Sequence, residues 1–222
     1  MTYRFQSAAR MLAPAVALAA LALGGCARNN ELNLDNGVGV NTARSLCPSV
    51  GVPINTGDIT LFDPPASREA RAIDVVATIT NVRTTCNDEG ARVYVSATFD
   101  VVASRRDAGA ERDVTLPYYS AVVQGATSVV AKDDSRVSLH FPAGQLRAST
   151  QGTAGAYVDR TAVTLPDDIR ERITRRRRDG DADAAVDPMS EPAVRDAVAR
   201  ATYELLIGFQ LSTEQLQYNV TR

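Results

Sequence analysis

Tryptophan is absent from the 222 residues, aromatic residues make up only 5% of them, and there is a single histidine, His140. One histidine rules out a His-Glu-x-x-His zinc motif and any centre built on several imidazoles. A Walker loop, a Gly-x-Ser-x-Gly elbow and a Gly-x-Gly-x-x-Gly strand–helix turn are also missing, so the usual signatures of nucleotide binding and serine hydrolysis are not there. The 24 basic residues are balanced by 26 acidic ones, a net charge of −2. No basic excess therefore points to nucleic acid. Beyond the N-terminus no apolar run is long enough to cross a bilayer as a helix.

The N-terminus itself is distinctive. Arg4 and Arg10 give a basic start with no acidic residue, and Met11–Leu23 is continuously apolar apart from its proline. That run suits the apolar region of an export signal and is too short to span about 30 Å of hydrocarbon. It ends in Leu23-Gly24-Gly25-Cys26. Small residues ahead of a cysteine here resemble the bacterial lipobox. The resemblance implies transfer of diacylglycerol to the Cys26 thiol, cleavage after Gly25 and acylation of the new amine. Acyl chains contribute roughly 0.8 kcal/mol per buried methylene, so several of them make a lasting anchor. By the sorting rule of that family Ala27 favours the outer membrane. The alternative is an ordinary secretory signal followed by a chance cysteine.

Export changes the reading of the other two cysteines. Cys47 and Cys86 would meet an oxidising compartment, where an even pair is expected to close a disulfide. Metal ligation needs more soft ligands than one histidine and two thiols supply, and a reactive thiol is the third possibility. Residues 26–45 are polar and rich in Asn and Gly, and read as a flexible tether spanning roughly 20–25 Å.

From Cys47 onward the pattern is that of strands. Val93, Val95, Ala97, Phe99, Val101 and Ala103 alternate with Tyr94, Ser96, Thr98, Asp100, Val102 and Ser104, a period of two with one mostly apolar face. Asn87-Asp88-Glu89-Gly90 makes the preceding turn, so 73–86 and 91–104 form a hairpin. Further strands are expected at 57–62, 114–123, 129–131, 136–141, 157–165 and 202–211. Turns are expected at Asp107–Gly109, Lys132–Ser135, Pro142–Gly144 and Gln151-Gly152. Seven or eight short strands predict a mainly β fold, an antiparallel sandwich resembling immunoglobulin or fibronectin type III domains in architecture. An outer-membrane barrel is the rival, but the strands are uneven and no aromatic girdle is present.

A helical excursion is expected near 167–201. Asp167–Arg178 reads as a basic helix with Leu165, Ile169 and Ile173 on one side, and 179–185 as a connector. A second helix is capped by Ser190, with Val194, Ala197, Val198 and Ala201 on one face. Ser212-Thr-Glu-Gln215 offers a capping box for a short C-terminal helix through about Tyr218.

Candidate chemistry is sparse. His140 alternates with Leu139 and Phe141 and so belongs on the opposite, exposed face of its strand. The pairs Asp133-Asp134 and Asp167-Asp168 and the Asp179/Asp181/Asp183 series fit turns and a helix N-terminus; the last lacks the order and distal Glu of an EF-hand. No catalytic residue, metal site or cofactor other than lipid on Cys26 is assigned. Arg170, Arg172, Arg175, Arg176, Arg177 and Arg178 form the strongest charge feature, read as a solvated helix face or as a contact for anionic headgroups or an acidic partner.

The lipobox, the Cys47-Pro48 start of the folded region and the ending Ile207–Asn219 together resemble small lipoproteins of proteobacterial envelopes. That resemblance implies an address and no activity. Three functions fit. The first is a non-enzymatic binding or scaffolding module, held on the membrane by its anchor and partnered by another envelope protein. The second is a carrier or sensor of a small hydrophobic ligand. The third is a carboxylate-dependent hydrolase.

Overall fold

The computed structural model describes residues 45–175, 177–178, 180–183 and 185–221. The leader, Cys26, all of the tether but its last residue, and the residues Arg176 and Asp179 lie outside the described residues. Of these, residues 45–175 and 186–221 form one compact unit, and 177–178, 180–183 and 185 belong to another.

The first unit is mainly β. Its strands are β1 (Ser49–Gly51), β2 (Asp58–Phe62), β3 (Ile73–Asn87), β4 (Arg92–Arg105), β5 (Arg112–Gln124), β6 (Ser128–Phe141), β7 (Arg147–Asp159) and β8 (Tyr203–Phe209). They make two four-stranded sheets, ordered β1-β8-β5-β6 and β2-β3-β4-β7, antiparallel except for the β1–β8 pair. The sheets pack face to face as a sandwich. The alternation in β4 explains why: the six positions of its apolar face are all buried, with Val93, Phe99 and Val101 fully so. Ala97, Phe99, Val101 and Ala103 meet Leu116, Leu139, Phe141, Ile207 and Phe209 from the other sheet in one cluster. A second cluster gathers Val93, Val95, Val122, Val158, Val163 and Leu205, with Leu46 against it.

The expected hairpin at 73–104 forms, and Gly90 turns it with a φ of 87° that favours glycine. Other expectations needed correction. Lys132–Ser135 is not a turn; 128–141 is one continuous strand. Its partner β5 is almost as long, and the short connection Gly125–Thr127, whose first two residues have positive φ, starts β6 pairing at once along all of it. Gln151-Gly152 is likewise mid-strand. A Cβ on Gly152 would stand 2.3 Å from the Phe99 ring, so the glycine makes room for a neighbouring aromatic and does not mark a bend. The strand expected at 157–165 is displaced: β7 ends at Asp159 and a single helical turn, α1 (Arg160–Val163), follows.

The excursion carries helices α2 (Asp167–Thr174) and α3 (Pro192–Arg200). Leu165 and Ile169 pack with Val194, Ala197 and Ala201, and Ile173 and Val198 lie against them. Helix α2 stops at Thr174, short of the expected Arg178. The N-cap of α3 is Glu191, with Pro192 at its first position, while the Ser190 hydroxyl turns back to the Asp187 carbonyl. The C-terminal helix α4 (Thr213–Thr221) runs three residues further than expected, and its capping box is reciprocal. Gln215 Oε1 accepts from the Ser212 amide at 2.9 Å, and Ser212 Oγ accepts from the Gln215 amide at 3.2 Å.

Candidate functional site

The inward positions of β6, read from its C-terminal end, are Phe141, Leu139, Val137, Ser135 and Asp133. The first three are buried core; the last two are polar. The facing positions on β5 change in step, from Leu116 to Tyr118 and Ser120. Across from them the inner face of the other sheet presents Ala97 and Ala154, with Gly155 beside them on the outward series of β7. Apolar filling stops here and the sandwich opens. The result is a cleft of about 320 Å³ lined by Tyr94, Ser96, Thr98, Tyr118, Ser120, Asp133, Ser135 and Thr153 with those small residues.

The cleft lies between β6 and β7, the last strands of their sheets. Tyr118 spans it: its hydroxyl donates to the Thr153 carbonyl oxygen at 2.7 Å, and its ring meets Phe99 edge-on at 5.3 Å. Tyr94 leans over Gly155, where a Cβ would come within 2.6 Å of its hydroxyl. Asp133 is exposed and accepts from Ser135 Oγ at 3.3 Å. It is the one carboxylate among the lining residues. Asp134 points to the opposite face and pairs with Lys132 at 2.9 Å. The adjacent acids therefore do not face each other, and the cleft holds hydroxyls and one acid, with no histidine, cysteine or lysine. Such a lining donates and accepts hydrogen bonds and attracts one cation. It lacks the second carboxyl that paired acid–base chemistry needs.

The expected residues fall elsewhere. Cys47 and Cys86 are joined, with Cα atoms 6.1 Å apart, tying the entry to β1 to the end of β3 and so linking the two sheets. His140 is exposed, as its alternation predicts, and its Nδ1 lies 2.7 Å from Asp113 Oδ1. Arg170, Arg172 and Arg175 are exposed, on α2 or just past it; Arg170 pairs with Asp167 at 2.7 Å and Arg172 with Glu191 at 3.1 Å. In the other unit Arg178 is exposed, whereas Arg177 is buried and stands 3.7 Å from Asp183. The described arginines are thus not one solvated helical stripe, because the helix ends at Thr174, before Arg175, Arg177 and Arg178. No group of three His, Cys, Asp or Glu side chains that could hold a metal occurs among the described residues. No helix among them is long and apolar enough to cross a membrane.

No protein-family model matches the chain, and no curated protein or solved structure matches it either. Geometry alone therefore carries the assignment. The cleft residues escaped the sequence reading because 132–135 and 151–152 look like turns. The usable signal was the inward series of β6, where every second residue is apolar from 141 back to 137 and then polar.

Proposed function

We propose that the chain is a lipid-anchored lipoprotein of the bacterial cell envelope, acting as a non-enzymatic binding or scaffolding module at the outer membrane and facing the periplasm. The lipobox supports the address, and the Cys47–Cys86 disulfide suits an exported chain. The binding role rests on one observation, the open side of the sandwich between β6 and β7. A cleft of about 320 Å³ lies at the small end of the roughly 300–1,000 Å³ typical of ligand sites. Its hydroxyl lining suits a polar partner better than a hydrophobic small molecule, and its single carboxylate gives little support to a hydrolase.

The immunoglobulin- or fibronectin-III-like character belongs to the same proposal. Two packed sheets and a cross-sheet disulfide support it. Contact of the arginines with anionic headgroups also belongs to it, and draws support from the exposure of Arg170, Arg175 and Arg178.

Two measurements test the reading. Replacing Cys26→Ser should abolish incorporation of a labelled fatty acid and release the chain from the membrane fraction; retained label on that variant would refute the anchor. A photocrosslinking residue at Ser135 should capture one recurring envelope protein in cells, and the same residue at Glu89 should not. Equal background at both positions would count against a binding module.

A further inference from the structure

Every sheet has edges, and an unpaired edge is a template for another strand unless it is blunted. Three of the four edges here are blunted. β1 has three residues. β2 has five, with a register shift at Leu61/Phe62, and α4 docks on it through Asn219, whose amide donates to the Asn55 and Asp58 carbonyl oxygens. β6 is bulged at Val130 and carries Lys132, Asp133 and Asp134. The fourth, β7, pairs with β4 in unbroken register over its whole length. From Ala148 to Val158 it contains no charged residue and no proline.

We propose that the gap between β6 and β7 receives an extended peptide strand from a partner protein, hydrogen-bonded along the β7 edge, with a Lys or Arg side chain meeting Asp133. The proposal rests on the binding-module reading and names its partner's chemistry. Three observations converge on it. The edge of β7, covered only where the Tyr118 hydroxyl bonds the Thr153 carbonyl, borders the same cleft as Asp133 and Ser135 of β6. Besides Asp133, the inward residues there are Ala97 and Ala154 on one sheet and Tyr118, Ser120 and Ser135 on the other, small or hydroxylic groups that leave space for a main chain with short side chains. Among the described residues the side-chain partner of Asp133 is the Ser135 hydroxyl, whereas Asp134 beside it pairs with Lys132. The backbone of the guest supplies the generic affinity of strand addition, and the acid supplies selection by charge.

The test uses the full chain and two synthetic nonapeptides, Thr-Val-Thr-Val-Lys-Val-Thr-Val-Thr and its counterpart with Glu at the centre. Amide hydrogen exchange should show protection by the Lys peptide confined to β7 and to residues 131–137 of β6. Fluorescence anisotropy should give the Glu peptide about fivefold weaker binding, the weight of one partly exposed charge pair. Asp133→Lys should reverse that preference without altering thermal unfolding. Absence of protection at β6 and β7, or equal affinity of both peptides with no reversal, overturns the proposal. Protection of the same edges at high concentration of the chain alone assigns the gap to a second copy and overturns it too. Should the Ser135 crosslink still capture one envelope protein while the peptides fail, the strand proposal falls and the binding reading stands; failure of both removes both.

Discussion

Arg105 is buried at the end of β4, over the Phe141 ring, with its guanidinium 5.3 Å from the ring centre. Its Nε donates to the Gln145 carbonyl oxygen at 2.7 Å, one terminal nitrogen to Ala110 O at 2.7 Å, and the other to Gly109 O and Pro142 O. One side chain thus fastens the two loops that flank β5–β6. Charge-assisted bonds of this sort are each worth more than neutral ones. Arg105→Ala should cost about 3 kcal/mol, seen as a lower urea midpoint at constant slope, and Arg105→Lys should recover only part, since an ammonium cannot fork to four acceptors. Asp100 shows a residue-scale effect of another kind. Asn81, held at a φ of 52° where β3 slips register, donates to it at 2.6 Å, and Gln151 and Arg83 also reach it. The Asn81 bond, above all, holds this carboxyl below its ordinary range. A folded pKa below the unfolded one means stability present above about pH 4 and lost as pH falls through the folded value. Asn81→Ala should move the Asp100 titration up toward the free carboxyl range in carbon NMR; an unmoved titration would show that Asn81 is not its cause.

At the scale of elements, β7 is shaped by its neighbour. Gly152 lies opposite Phe99 and under its ring, so Gly152→Ala drives a methyl into a buried aromatic. Overpacking should cost about 2 kcal/mol, and pairing the change with Phe99→Leu should return part of it, read by thermal unfolding of the single and double variants. Helix α4 depends on its ends. The Ser212 hydroxyl caps it and, as the leading influence on Glu214, keeps that carboxyl ionised to lower pH than usual. Ser212→Ala should cost about 1 kcal/mol and speed hydrogen exchange at Leu216–Val220, with little change in β4. Further along α4, Tyr218 meets Phe62 edge-on at 5.0 Å and Asn219 binds the carbonyls of Asp58 in β2 and of Asn55 just before it, so fraying of α4 would uncover the β2 edge.

For the whole molecule the disulfide is the largest single constraint. Cys47 and Cys86 are 39 residues apart, and closing such a loop in the unfolded chain contributes about 4 kcal/mol by chain entropy. Replacing both cysteines by alanine should lower stability by about that amount, and reduction of the wild type should match it. Denaturation curves in urea with and without reductant check this; identical midpoints would mean the bond constrains nothing. The effect should be greatest around Leu46 and β1, a three-residue strand.

Local pattern made much of this legible. The alternation in β4 announced a buried face, and all six residues of that face are buried, while Val102 on the other face is exposed. The capping box at Ser212 is satisfied bond for bond, and Leu165, Ile169, Val194 and Ala197 pack as their spacing requires. These succeed because each depends on neighbours within a few positions of the chain. The sequence by itself thus determined the hairpin, the helix faces, the mainly β class and the pairing of the only two cysteines in the folded part. Tertiary structure decided where strands end and where the core fails. Residues 128–134 are exposed on both faces, so no period marks them as a strand; only the length of β5 does. Gly152 reads as a turn until the Phe99 ring is seen above it. The cleft exists because Asp133, Ser135, Tyr118 and Gly155, far apart in sequence, come to the same open side of the sandwich. That is a fact of strand order, which no local rule encodes.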